Sequence, residues 1–556
     1  MPSESSKELM VKVTGKRNSP WIRLLTPIGI IAMLGFAGFG SINIIRRFST
    51  APSKTVKALT WNMAAINNNP FEYWITNEDP KYNTLMQGVS EFIKNPGDKD
   101  IPVSQVFTEG MFTELKDLMK AANWNGVEET EARWNDEYKN RKVISEFIRD
   151  DLIGKKRLTS MPDRITNTIS TTKGDVMRPT VMNCYTESLD SMEKWWDHWK
   201  RFMFSQPISL NSGTTKVQDM LQPIKQSKYP AISTEEAKIS IPLQTMSLAI
   251  FDAILVHMLN SVSPGWHNIR DEICTKLNRQ KNSRSIEILS TTYRDYDIQF
   301  LQEVGSSFMD AARKDKSLTT MFDVHIPSAL DSKRDQNSII LLAKGKYMEV
   351  ADLTREVVDL YNSKHTDANL PVMDGDLFVM EAKQADDGVM YLLASFHGDT
   401  NGLATKSVVT AVREYATYAR PHHKLLFGMD ANTYASPLSD QQGVTDFAAF
   451  YTALNMNTCY GPHPNPKNFT TFHARTYLQP QLNKAITYEE KDIKGDKNPK
   501  DFIMFFSADF DVMETRKDNT GRRVYVDNMV FPTLKFPSDH GITSTVLVEK
   551  KQSLRR

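Results

Sequence analysis

Between residues 285 and 550 the chain is cut into short apolar segments, and most begin or end on a side chain able to do chemistry. They read YDIQFLQEV, NSIILLAK, DLFVMEAKQ, VMYLLASFHG, KLLFGMDAN, KDFIMFF, VYVDNMVF and GITSTVLV. Their lengths and β-branched or aromatic content predict strands. QADDGV, between two of them, carries an Asp-Gly hairpin signal. LATKSVVTAVREYATYA and VTDFAAFYTALNM, between others, predict helices. Strands and helices mixed in this way predict an α/β sandwich with mixed or antiparallel sheets.

One further strand is expected far upstream, KALTWNM at residues 57–63, running into the Asn-rich loop AAINNNPFEYW. From about 80 to 284 the pattern is mostly helical. CYTESLDSMEKWWDHWKRFMF places Leu189, Met192, Trp196, Trp199 and Met203 on one helical face, broadened by Trp195 and Phe202. Such a stripe predicts a helix packed in a core in preference to a membrane- or partner-binding surface. PLQTMSLAIFDAILVHMLNSV is apolar nearly all round and predicts a second buried helix.

The run Leu24 to Ile45 is 22 residues without a charge, preceded by Trp21 and Arg23 and followed by Arg46-Arg47. A spanning helix needs about 20 apolar residues, so an uncleaved anchor is expected and the chain reads as a single-pass membrane protein. Basic residues flank both ends, which leaves its orientation open. The scheme is a tail at 1–23, a transmembrane helix at 24–45, a linker at 46–56, one domain from 57–79 and 285–550, and a helical insert at 80–284. With 68 basic and 67 acidic residues the formal charge is +1, which argues against a polybasic nucleic-acid arm and leaves a local basic groove open. The three cysteines are far apart and odd in number, so neither a disulfide framework nor a zinc site is expected.

The polar residues at the strand ends form a set. Asn62 ends LTWN, Glu303 ends DIQFLQE, His397 ends LLASFH, and Asp430 and Asn432 end LLFGMDAN. Asp501 opens DFIMFF, and Asp539-His540 stand before the last strand. Side chains at strand ends sit on rigid elements yet reach a cleft. Glu303 and Asn62 offer the oxygens that Mg²⁺ prefers, and Asp539 could join them. His397 and Asn432 can donate to phosphoryl oxygens, and Asp430 can orient or deprotonate a water. Asp501 beside His540 would fix the imidazole tautomer as an acid-base dyad. Carboxylates crowded in one cleft repel one another unless a cation joins them.

Taken in order, TWN, LQE, SFHGDTNG, GMDAN, KDFIMF and PSDHG resemble the motifs of the endonuclease/exonuclease/phosphatase superfamily, over residues 57–79 and about 285–550. The resemblance implies a DNase-I-like, four-layered α/β sandwich with a divalent-metal site (Mg²⁺ or Mn²⁺) at one end. It implies that Asn62 and Glu303 hold the metal with Asp539 close by, and that His397, Asp430, Asn432, Asp501 and His540 carry the catalysis. The implied partner is a phosphate-ester substrate, nucleic acid or lipid, with the membrane as a second partner through Leu24 to Ile45. The chain departs from the family's pattern in three ways: about 240 residues separate Asn62 from Glu303, no carboxylate follows Asn62, and the glycine of GMDAN stands one residue further from its aspartate. The alternative expectation is a catalytically silent scaffold whose helical insert binds a protein partner.

Overall fold

The computed structural model describes residues 54–331, 333–365, 372–480 and 484–550. The expected anchor at 24–45 lies outside them. The first strand, β1 (Thr55–Asn62), is followed by a long, mostly helical stretch that carries two small hairpins, β2–β3 (Thr168–Thr171, Gly174–Met177) and β4–β5 (Pro207–Leu210, Gly213–Lys216). Strands then resume as β6 (Ile298–Val304), β7 (Phe322–His325), β8 (Asn337–Ala343), β9 (Tyr347–Asp352), β10 (Leu377–Gln384) and β11 (Met390–His397). The last five are β12 (Lys424–Asp430), β13 (Met456–Thr458), β14 (Asp501–Phe506), β15 (Phe510–Asp518) and β16 (Ile542–Glu549).

Twelve of these strands make two mixed six-stranded sheets, ordered β15-β16-β1-β6-β8-β7 and β13-β14-β12-β11-β10-β9. Strand alternation sorts their side chains into three apolar layers. On β1, Val56 and Ala58 pack between the sheets, whereas Leu59 and Trp61 face helices on the outside. On β12, Leu426 lies between the sheets, and Leu425, Phe427 and Met429 pack with Val408, Val412 and Phe447 of the outer helices on that side. The result is an α/β sandwich in four layers, helix–sheet–sheet–helix. Gly428 also sits on the inner face of β12. A Cβ there would lie 2.4 Å from Cβ and Cγ of Phe300 on β6, so this glycine lets the sheets meet.

The helical stretch after β1 has a hydrophobic cluster of its own, into which Phe71, Trp74 and Leu478 also pack. At its centre the helix Ser240–Val262 is buried along most of its length, in keeping with its all-round apolar sequence. Trp195, Trp196, Trp199, Phe202 and Met203 are buried too, so the aromatic stripe is core, as expected. Within this cluster, fully buried Arg178 donates to Asp252 (2.8 Å) and Asp163 (2.6 Å), and Asp252 also accepts from Thr180 and Trp199.

Two sequence expectations fail, and one strand beside the last was not expected. VYVDNMVF is no strand. Its residues form an irregular segment tied to Asn519, whose side chain bonds both Val526 O (3.0 Å) and Val526 N (2.9 Å). The strand beside β16 is instead β15, FDVMETRKD, whose edge position tolerates a polar sequence. Finally, Cys184 and Cys274 form a disulfide across a sequence separation of 90, which leaves Cys459 as a buried free thiol.

Candidate functional site

The expected site residues meet at one end of the sandwich because inner-face positions on adjacent strands come into register there. His397 pairs with Asp430 across the parallel β11–β12 ladder, and Asp430 with Asp501 across β12–β14. These three therefore form a row on the inner face of one sheet. From the other sheet, Asn62 is next in the inner-face series of Val56, Ala58 and Thr60. Directly behind it the two sheets are tied by buried polar contacts, with Gln302 Nε2 donating to Thr60 Oγ1 (3.1 Å) and Ser395 Oγ (3.0 Å).

Glu303 does not follow its strand's alternation. By parity with Leu301 it would face the outer helices, but the β6–β8 register shifts between Leu301 and Val304 and Glu303 takes φ +52. The irregularity turns its carboxylate into the cleft. Ala64 (φ +49) and Asn432 (φ +47) are left-handed as well, so three strained non-glycine residues gather around the site.

The contacts are close. Asn62 Nδ2 donates to Glu303 Oε1 (3.0 Å) and Asp430 Oδ2 (2.9 Å), joining the sheets. Its Oδ1 accepts from the Ala64 N–H, and Glu303 Oε2 accepts from Ala65 N–H and Gln336 Nε2. His397 Nε2 lies 3.4 Å from Glu303 Oε1 and 3.6 Å from Asp430 Oδ2. His540 Nδ1 lies 3.0 Å from Asp501 Oδ2 and its Nε2 3.7 Å from Asp430 Oδ2. Asp430, Asp501 and His540 are buried, and each offers a ligand atom within 4.8 Å of the others. The Asn432 N–H donates to Asp430 Oδ1 (2.9 Å).

These distances set the charges. Burial would lower His540, but the carboxylates of Asp501 and Asp430 raise it to about 10. Asp501 is raised, because burial together with the nearby charge of Asp430 outweighs the opposing effect of His540. Asp430 is held below its ordinary value, because His540, His397 and Lys500 together outweigh its burial.

The PSDHG turn explains how two neighbouring residues serve different places. Ser538 Oγ donates to Asn62 O (2.7 Å) and accepts from the His540 N–H (3.0 Å), while His540 O accepts from Trp61 Nε1 (3.0 Å). His540 enters the carboxylate row. Asp539 points elsewhere, towards Tyr73 Oη (3.4 Å) and His473 Nε2 (4.0 Å), with its Oδ1 buried and without a partner among the described residues. The two therefore do not converge on one point. Asp539 instead shares with Glu303 a cavity of about 230 Å³, walled on the far side by Ile273, Cys274, Leu277 and Lys281.

Several residues here escape sequence reasoning. His473 is bonded to Asp496 (3.1 Å), which also binds Lys500 Nζ (3.1 Å). Tyr73 packs on the His473 ring at 4.9 Å. Lys281 comes from the helical stretch, and burial lowers it to about 8 despite the charges of Asp539 and Glu303. Only Lys500, beside Asp501, had a neighbour that could have pointed to it.

Residues 100–271, within the helical stretch, match a family described as a domain of unknown function (DUF8234). No curated protein matches the chain. Among solved structures, the chain is similar to TDP2 of D. rerio complexed with a single-strand DNA product (13% identity, TM-score 0.33, 50% of this chain and 95% of that one). It is also similar to truncated Caenorhabditis elegans TDP2 (16%, 0.31, 49% and 92%) and to an endonuclease/exonuclease/phosphatase family protein of Bacteroides thetaiotaomicron (16%, 0.31, 52% and 94%).

Proposed function

We propose that this chain is a divalent-metal-dependent phosphoesterase of DNase-I-like fold, a phosphodiesterase acting on nucleic acid or a phospholipid head group, held at a membrane through Leu24 to Ile45. The observation that carries the reading is the convergence of Asn62, Glu303, His397, Asp430, Asp501 and His540 from both sheets on one cleft. No packing need accounts for so many ionisable groups at the end of an apolar sandwich, and such clusters mark chemistry.

The residues fit a hard cation. Asn62 now turns Nδ2 to two carboxylates. A cation between Glu303 and Asp430 would favour the opposite amide orientation, with Oδ1 as a ligand. Asp539 Oδ1 is a buried acceptor with nothing to accept from among the described residues. When bound, the metal would supply charge neutralisation and polarisation of the phosphoryl group. Asp430 is ionised and placed to orient water or take its proton. His540, kept protonated by Asp501, gives charge and a proton to the oxygens of the phosphate. His397 donates to a phosphoryl oxygen from the opposite side.

The test is turnover by the full-length protein with Mg²⁺ or Mn²⁺ on single-stranded DNA, RNA, sphingomyelin and a chromogenic phosphodiester. Cleavage of one of these is expected, abolished in Glu303→Gln and slowed by about two to four decades in His540→Ala. If the folded protein cleaves none of them and gains no thermal stability from metal, the scaffold reading takes its place.

A further inference from the structure

Two charged residues between β1 and β6 line the site's cavity, Glu72 and Lys281; Glu72 has Asn67 and Arg475 as partners, whereas Lys281 is poorly satisfied. Lys281 is 5% exposed. The one hydrogen bond its ammonium makes among the described residues goes to the carbonyl of Ala65, at 3.3 Å. No carboxylate oxygen among them lies within 4.0 Å of its nitrogen, although Glu303 and Asp539 line the same cavity. A buried ammonium with three donors and one long bond is costly. Folding could have removed that cost with a methionine of similar volume, or offset it with a nearby acid.

Asp539 Oδ1, on the same cavity, is the complementary defect, a buried acceptor without a donor. A bridging water could accept from one and donate to the other, but it would leave both charges uncompensated. A phosphate accompanied by its divalent cation would compensate both, since the anion satisfies the ammonium and the cation the carboxylate. Ala65 connects the two halves, because its N–H binds Glu303 Oε2 (3.1 Å) while its carbonyl holds Lys281. The lysine and the glutamate at the cleft are thus held by the two backbone groups of one residue.

We propose that Lys281 is a further phosphate-binding residue of this site, contacting a non-bridging oxygen of the substrate's phosphate from the cavity that Glu303 and Asp539 also line. The helical stretch is then part of the active site, and it selects substrates whose phosphate can be carried into the cavity beneath it. The inference rests on the phosphoesterase reading for its substrate, but not for the binding event itself.

Calorimetric titration of the full-length protein with inorganic phosphate in saturating Mg²⁺ tests the contact directly. Lys281→Met is expected to weaken phosphate binding by about tenfold to a hundredfold, the worth of one hydrogen bond to a charged group. Lys281→Arg should restore most of it. In turnover, Lys281→Met should raise KM far more than it lowers kcat. Its thermal midpoint should be equal to or above that of the parent, because an unpaired buried charge is gone; a lower midpoint would count against the proposal. Phosphate affinity within twofold of the parent in Lys281→Met overturns it, as does a parent protein that binds no phosphate. A Lys281→Met variant that binds metal more tightly but phosphate unchanged would make the lysine a mere counter-charge, and also overturns it. The phosphoesterase reading fails separately, by absence of hydrolysis and of metal-induced stabilisation, while the phosphate titration still decides the role of Lys281.

Discussion

Replacing Gly428 by alanine drives a methyl group between the two sheets. The new Cβ would stand 2.4 Å from Cβ and Cγ of Phe300 and 2.5 Å from Cδ2, where ordinary contact needs 3.4 to 4 Å. A gap of about 1 Å has to open, or Phe300 has to leave its rotamer within a close-packed layer. Overpacking of this kind costs about 1–3 kcal/mol. Phe300→Ala alone should cost about 3–5 kcal/mol through the cavity it leaves. The double variant should be less destabilised than the two singles combined, because the methyl then enters vacated space, and the coupling should be about 0.5–3 kcal/mol. Urea unfolding followed by far-UV circular dichroism, compared as midpoint shifts at constant slope, gives these values. If Gly428→Ala lies within about 0.5 kcal/mol of the parent, or the two changes add without coupling, then Phe300 and Gly428 do not set the sheet spacing.

Arg178→Met strands the buried carboxylates of Asp252 and Asp163 and should cost about 3–5 kcal/mol, with much of the loss recovered when Asp252→Leu is added; thermal unfolding of both variants checks it. Reducing the Cys184–Cys274 bond frees a loop of 90 residues' separation, worth about 4–5 kcal/mol of chain entropy. Dithiothreitol should therefore lower the melting temperature of the parent but leave that of the double serine variant alone. The His540–Asp501 pair has a pH signature. Because folding raises His540 from 6.5 to about 10, its stabilisation is complete below pH 6.5 and is lost as pH rises through 10. Asp501→Asn removes the Asp501 part of that contribution and leaves that of Asp430, so the melting-temperature difference between parent and variant should shrink between pH 7 and 10; a constant difference would refute the pairing.

The site was legible where chemistry coincided with strand periodicity. His397, Asp430 and Asp501 each flank a short apolar segment, and once the strands pair, their two-residue periodicity puts all three on the inner face. The left-handed turn that redirects Glu303 was not legible, since nothing in LQEV announces a bulge. The direction of Asp539 was hidden for a related reason: the course of a five-residue turn depends on the Ser538 hydroxyl bonds, which are tertiary. FDVMETRKD escaped notice because an edge strand needs little hydrophobicity, and VYVDNMVF misled because its alternation lacks a partner strand. Lys281 and His473 reach the site from segments with no local sign of it. The disulfide was equally hidden, because cysteine spacing does not specify pairing.

The position of β1 bears on how the molecule is made. This strand is central in its sheet, hydrogen-bonded to β6 on one side and to β16 on the other, and Trp61 binds His540 across 479 positions. During synthesis the segment carrying Asn62 leaves the ribosome first, and the residues that complete its surroundings leave almost five hundred codons later. Until then its edge towards β16 stays unpaired and the cleft lacks His540. Contacts so distant in sequence make for slow closure. A nascent chain is therefore expected to hold the cleft incomplete until β16 joins β1, and one truncated before His540 never completes it.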